Sequence, residues 1–182
     1  MNRFVVLSTA VLLLAAAGAS ANGQGEDTTQ VQLDDGFTRM SAGALQLDWM
    51  VDGEDLRLRV SAPTTGWVAI GFEPSSAMKD ANMIIGHVSG GSASVRDDFG
   101  SRRTAHVSDE SLGGSDDLSD VSGTEEDGQT TLRFTIPLDS GDEYDQALSP
   151  GSTHKVIFAY GPDGADDYST YHAARGSLEI RL

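Results

Sequence analysis

The pattern that most constrains this chain is a strict alternation of apolar and polar residues on both sides of an acidic turn. Leu45, Leu47, Trp49 and Val51 alternate with Gln46, Asp48 and Met50. Asp52-Gly53-Glu54-Asp55 then reverses the chain, and Leu56, Leu58, Val60 and Ala62 return with Arg57, Arg59 and Ser61 between them. A period of two lines one strand face with apolar side chains, and Asp-Gly between two such runs is hairpin chemistry. The same reading gives strands over residues 66–72, 81–88, 92–95, 132–136, 156–160 and 178–182, with Pro63 and Gly90-Gly91 as breaks. No long stretch carries the 3.6-residue period of an amphipathic helix, so the expected fold is an all-β antiparallel sandwich. Residues 97–127 are mostly Ser, Asp and Gly and read as a long loop holding a short strand near residues 118–121. Residues 140–148 are expected to contain a helical turn.

The N-terminus has the form of an export signal: Arg3, an apolar run over residues 4–17, and Ala19-Ser20-Ala21 before Asn22. The run is shorter than the roughly 20 residues of a membrane-spanning helix. Residues 1–21 are therefore read as a removed signal peptide, residues 22–40 as a flexible leader, and residues 41–182 as one domain. The mature protein is expected to be exported, periplasmic or extracellular, without stable membrane insertion. Its length is enough to bury roughly 68–70% of the surface exposed on unfolding.

The chain has no cysteine. Thiolate zinc sites, iron–sulfur clusters, thiol nucleophiles and covalent c-type haem are excluded, and the core must suffice alone or with a bound ligand. The formal charge is −16, from 28 acids against 12 Lys and Arg. Nucleic acid is an unsuitable partner, because that affinity comes from cations on phosphates. A salt-rich environment, where such self-repulsion is screened, and an ordinary acidic exported protein both fit this balance.

Catalytic constellations are absent. No Gly-x-Ser-x-Gly elbow occurs, no glycine-rich phosphate loop links a strand to a helix, and with 28 acids a carboxylate pair carries no weight. The acidic runs at residues 109–120 and 163–167 lack the spacing of a calcium loop and read as solvated surface. Of the four histidines, His87 falls within a strand and His106 and His154 read as solvated. His172 lies in the aromatic connection Tyr168-Ser169-Thr170-Tyr171-His172, presented at a sandwich end. Met78 is out of place as core filling, since it sits in a polar loop (residues 73–80) between two buried strands. A thioether and an imidazole are a familiar axial pair for haem iron. Such a haem would be b-type and non-covalent, in a slot lined by Phe72, Tyr171 and Trp67. The alternative for these two residues is structural, with Met78 capping an apolar slot and His172 bonding a carbonyl.

Several ordered motifs resemble the DOMON family. They are Leu45-x-Leu47-x-Trp49, Gly66-Trp67-Val68-Ala69-Ile70-Gly71-Phe72, Met78 leading into Ala81-Asn82-Met83-Ile84-Ile85-Gly86, and Asp97-Asp98-Phe99. The Phe134 strand follows, leading to Gly141-Asp142 and Asp145, then Val156-Ile157-Phe158-Ala159-Tyr160-Gly161 and His172-x-x-Arg175-Gly176. The resemblance implies an immunoglobulin-like β-sandwich with a ligand site at one end. Some members, such as the cytochrome domain of cellobiose dehydrogenase, hold a b-type haem between a Met and a His at the positions of Met78 and His172. Others lack haem and are thought to bind carbohydrate or act as interaction modules. By that resemblance the chain is expected to be an electron-transfer domain without turnover chemistry, serving an unidentified redox partner, with Arg175 facing a haem propionate. In the carbohydrate alternative Trp67, Tyr168 and Tyr171 would stack on sugar rings. The chain departs from the family pattern in having Asn82 where Asp is usual, and it is expected to lack a joined flavin, copper or transmembrane cytochrome domain.

Overall fold

The computed structural model of the protein describes residues 29–182. The expected signal peptide and residues 22–28 of the expected leader lie outside the described residues. Two six-stranded antiparallel sheets form an immunoglobulin-like sandwich. The first sheet takes β1 (Val31–Gln32), β2 (Thr38–Ala42), β3 (Leu45–Asp52) and β4 (Asp55–Ala62), followed by β10 (Gln129–Pro137) and β9 (Ser119–Glu126). The second takes β12 (Ala174–Arg181), β11 (Thr153–Tyr160), β5 (Val68–Phe72), β6 (Asn82–Ser89), β7 (Ser92–Arg102) and β8 (Ala105–Ser108). A one-turn helix, α1 (Asp109–Leu112), follows β8.

Alternation decides what the sheets bury between them. Trp49 lies opposite Leu58 and Leu47 opposite Val60, while Phe134 and Leu132 face the same two residues from β10. All six are at most 2% exposed. The second sheet answers with Val68, Ile70, Phe72, Ile84, Val156 and Phe158 in the same cluster. The β3–β4 hairpin closes on Asp52 opposite Asp55, with Gly53 at φ 68°, a left-handed conformation that a side chain would strain.

Order begins earlier than the sequence pattern suggests. Residues 31–42, partly assigned to a flexible leader, form β1 and β2, and β2 pairs with β3 from Thr38↔Trp49 to Ala42↔Leu45. Met40 and Ala42 are buried against the core, which explains why this polar-looking segment is ordered. Residues 97–127 are likewise not one loop, because β7 runs on to Arg102 and β8, α1 and β9 follow. Residues 140–148 form turns rather than a helical segment.

Phe72 is fully buried between the sheets, and a Phe-to-Ala truncation at such a site costs about 3–5 kcal/mol. Phe72→Ala should lower the unfolding free energy extrapolated to water by that amount, bringing the urea midpoint down without changing the slope of the transition.

Candidate functional site

The outer faces of the two sheets differ. On the first, Asp48 is 1% exposed yet accepts from Arg39 Nε at 2.7 Å and from Arg39 Nη2 at 2.8 Å, with Arg59 nearby. Charges here partner one another under solvent. The second sheet carries apolar residues on its outer face: Trp67, Ala69, Ile85 and Ala165 form a buried cluster apart from the core, with Ala159 and Tyr168 against it. One row across the strands reads Ile157, Gly71, Met83, Asp98, and the next reads Ala159, Ala69, Ile85, Arg96. Small residues at Gly71, Ala69 and Ala159 lower the floor. A Cβ on Gly71 would lie 3.0 Å from Met83 Cγ and 3.1 Å from Ile157 Cγ1.

Two connections fold over this face from opposite ends of the strands. At one end the loop after β5 lies on Gly100, where a Cβ would fall 1.6 Å from the Met78 carbonyl oxygen. Asp80 N–H donates to the Gly100 carbonyl at 2.8 Å, and Gly100 N–H donates to that of Ala81 at 2.8 Å. Glu73, Ala77 and Asp80 hold left-handed φ of 51°, 54° and 64°. Non-glycine residues in that region are strained and cluster at ligand sites and switches. His154 secures the start of the loop, its Nδ1 2.7 Å from Glu73 Oε1 and its Nε2 3.0 Å from the Ser149 carbonyl. The two ring nitrogens tie the loop start to the Ser149 turn. His154 is thus a buried anchor and not the solvated residue expected.

At the other end residues 161–173 cross the face. Gly161 N–H donates to the Trp67 carbonyl at 2.8 Å, and Trp67 N–H donates to that of Ala165 at 3.0 Å. The Tyr168 hydroxyl reaches Ser94 Oγ at 2.6 Å, its ring 4.3 Å beneath the Arg96 guanidinium and 5.4 Å from His87. Asp167 accepts from the N–H groups of Ser169 and Thr170, both at 2.6 Å, and folds the return toward His172. The His172 ring packs on Tyr171, centroids 4.1 Å apart, and Tyr171 is 75% exposed.

The loop of Met78 and the connection bearing His172 therefore lie toward the two ends of this sheet, with both side chains half-buried. His172 precedes Ala174, which pairs with Tyr160 at the level of Val68, whereas Met78 lies beyond Phe72. The residues of β5 separate those levels by about 13 Å. Among the described residues no hydrogen bond engages the His172 ring. Arg175 pairs with Ala159, and this places it on the same face, exposed. Trp67 is buried beneath Gly161, supporting the loop, with its Nε1 unpartnered. Phe72 is a correction: it points into the sandwich core and cannot line a slot on the outer face. His106 is another, since it lies on β8 against Asp98 instead of in a solvated loop. Burial opposes ionisation of Asp98, but hydrogen bonds from His106 and Arg96 outweigh it and hold that carboxyl below its usual range.

A second group of acids was not anticipated. Asp97, on the inner side of β7, is 3% exposed and meets Asp117 and Asp145, with oxygens of all three within 4.8 Å of one another. Burial, then the nearby Asp145 charge, pushes Asp97 up to about 8. The same causes take Asp109, on α1, to about 7, and burial takes Asp145 to about 6. The residues stand far apart in sequence, and the one local sign of them was the adjacent pair Asp97-Asp98, which the sequence pattern left at the start of a long loop.

With this geometry in place, the DOMON domain matches residues 41–161. The chain belongs to the DOMON family. Human DBH-like monooxygenase protein 1 is 29% identical over 167 residues, 91% of this chain and 26% of its own length. Mouse DBH-like monooxygenase protein 1 is 30% identical over 142 residues, 77% of this chain and 22% of its own. Mouse DBH-like monooxygenase protein 2 is 27% identical over 172 residues, 92% and 26% of the two chains. The chain thus spans about a quarter of the length of these curated relatives. Among solved structures, the cytochrome b domain of pyranose dehydrogenase from Coprinopsis cinerea superposes with a TM-score of 0.63 at 10% identity, covering 85% of this chain and 87% of that one. The cytochrome domain of Myriococcum thermophilum cellobiose dehydrogenase gives 0.59 at 12%, covering 86% and 90%. At such identities the likeness establishes the shared sandwich. The matched DOMON segment includes Met78 and Asp97 and ends before His172.

Buried acids with raised pKa values give this DOMON domain an inverted pH profile in metal-free buffer. Their protonated forms suit the fold, so the contribution of these three groups to stability is complete below about pH 4 and is lost as pH rises from there through about 6 to 8. Each group contributes at most about 1.4 kcal/mol per pH unit in that window. Chemical denaturation in chelator at pH 5 and pH 8 should find the higher midpoint at pH 5.

Proposed function

We propose that this DOMON domain is an exported b-type cytochrome module that binds one haem non-covalently on the outer face of the second sheet and passes single electrons. The observation that carries the reading is a thioether and an unbonded imidazole on two loops that fold over one apolar, small-residue face. Met78 and His172 would be the axial ligands. A haem held this way supplies outer-sphere electron transfer, with a potential that Met/His ligation raises.

The chain's own residues account for the rest. The left-handed turns at Ala77 and Asp80 hold Met78 against Gly100, and the Asp167 turn presents His172. Trp67, Ala69, Ile85 and Ala159 provide an apolar floor, and residues 161–173 exclude water from it. Arg175, exposed on that face, is placed to pair with a carboxylate at the rim. No residue is assigned turnover chemistry. The redox partner is a separate protein or a domain outside these residues. Among the described residues no helix is long and apolar enough to cross a membrane, and export rests on the sequence of residues 1–21. Similarity to the two cytochrome domains supports the haem, and the names of the curated relatives leave room for a role beside a monooxygenase.

One observation favours a second reading, carbohydrate binding by the same sandwich end: Tyr171 is 75% exposed, as a ring that stacks on sugars would be.

Protein produced with haem available should be red, with a low-spin Soret band and a sharp reduced α band. Met78→Ala and His172→Ala should each give a high-spin spectrum or lose the haem, while Met78→His should stay low-spin at a lower potential. A colourless protein that binds polysaccharide equally well as Met78→Ala would replace this reading with the carbohydrate one.

A further inference from the structure

We propose that Asp97, Asp117 and Asp145 form a calcium-class cation site at the sandwich end where β6 begins, on the opposite side of the second sheet from the haem-binding face. The ligands come from three separate segments: β7, the stretch before β9, and the connection after β10. Their oxygens lie within 4.8 Å of one another, the separation found when ligands surround one ion at 2.3–2.6 Å. Once ionised, carboxylates this close need a counter-charge, and none of these three forms an ion pair with a described Lys, Arg or His.

The second observation is a set of buried oxygens with nothing to bond. Asp97 Oδ2 accepts from Asp117 N–H at 3.2 Å, but Asp97 Oδ1 is buried without a partner, as is Asp145 Oδ1. Asn82, 5% exposed on the neighbouring strand, shares the inner side with Asp97, and its Oδ1 is also unpartnered. Both oxygens of Asp109, 0% exposed, lack partners, and Asp109 feels the charge of Asp145 and Asp117. Buried acceptors in native proteins are normally satisfied, and a bound ion satisfies several at once.

The donor set names the class of ion. Every candidate ligand is a carboxylate or amide oxygen, which selects hard cations over zinc or copper. Carboxylates converging from three segments leave little space for the waters magnesium retains, which favours calcium. An ion here would staple three segments of a chain that has no disulfide. It would also reach the Met78 loop, because Gln146 Nε2, next to Asp145, donates to the Asp80 carbonyl at 2.9 Å.

The test uses the whole chain after chelation, titrated with calcium chloride by calorimetry and by thermal melting, with sodium chloride at matched ionic strength as control. Terbium provides a direct probe, since Tyr144, bonded through its N–H to Asp142 beside the cluster, should sensitise its emission. The expected result is saturable uptake of one calcium per chain, a rise in Tm absent from the sodium control, and terbium emission that calcium displaces. Asp97→Asn and Asp145→Asn should each weaken the calcium midpoint about tenfold or more. Without metal they should melt at or above the parent, because a repulsive charge has gone; a purely structural carboxylate would show the reverse. Exposed Glu125→Gln should leave the calcium response unchanged. Equal Tm rises in calcium and sodium, no saturable uptake by the parent, or undiminished uptake by Asp97→Asn would each overturn the proposal. If the variants do not fold, the parent titration decides alone.

Discussion

Burial of Trp67, Ala69 and Ile85 on the outer face of the second sheet, beyond the core that the two sheets share, is the constraint from which the site follows. An antiparallel sheet normally leaves that face to water and lines it with polar residues. The first sheet does so, pairing Asp48 with Arg39 and Arg59. The second cannot, and residues 161–173 must lie across it, fixed by Tyr168 to Ser94 and by Ala165 to Trp67. The strained loop bearing Met78 closes the other end through Gly100. This face, covered at both ends and small in the middle, is the feature on which the proposed haem reading rests.

Electrostatics sets the second theme. A formal charge of −16 would ordinarily be spread over solvent, yet several acids are buried here. Asp98 is compensated inside the chain by Arg96 and His106. Asp97, one residue earlier, faces the other side of the same strand and meets the carboxylates of Asp117 and Asp145, with one backbone N–H, that of Asp117, as donor. Adjacent residues thus have opposite electrostatic fates because a strand sends them to opposite sides of the sheet. The two sides are linked mechanically through Gln146 and the Asp80 carbonyl.

What could be read from the chain alone divides along the same line. The β3–β4 hairpin, the β5 and β6 strands and the sandwich class were legible because period-two patterning and Asp-Gly turns act over a few residues. The DOMON resemblance and the prominence of Met78 and His172 were legible as motifs. Phe72 was misread: in a run as uniformly buried as β5, periodicity does not say which face a side chain takes. His106 and His154 were read as solvated because their partners are decided by pairing: Asp98 across the β7–β8 hairpin, and Glu73, 81 residues away in sequence. The acidic run from residue 109 looked like solvated surface, as most such runs are, until folding carried Asp117 to Asp97.

The sequence by itself determined that this chain makes strands, that they bury one face each in a cysteine-free sandwich, and that one thioether and one imidazole stand out in its connections. Only the tertiary structure decided that the connections bearing Met78 and His172 lie toward opposite ends of one sheet, that Phe72 points into the core, and that three distant aspartates converge. Alternation and turn chemistry are local and survive in the linear chain, whereas facing, covering and convergence depend on which strands become neighbours.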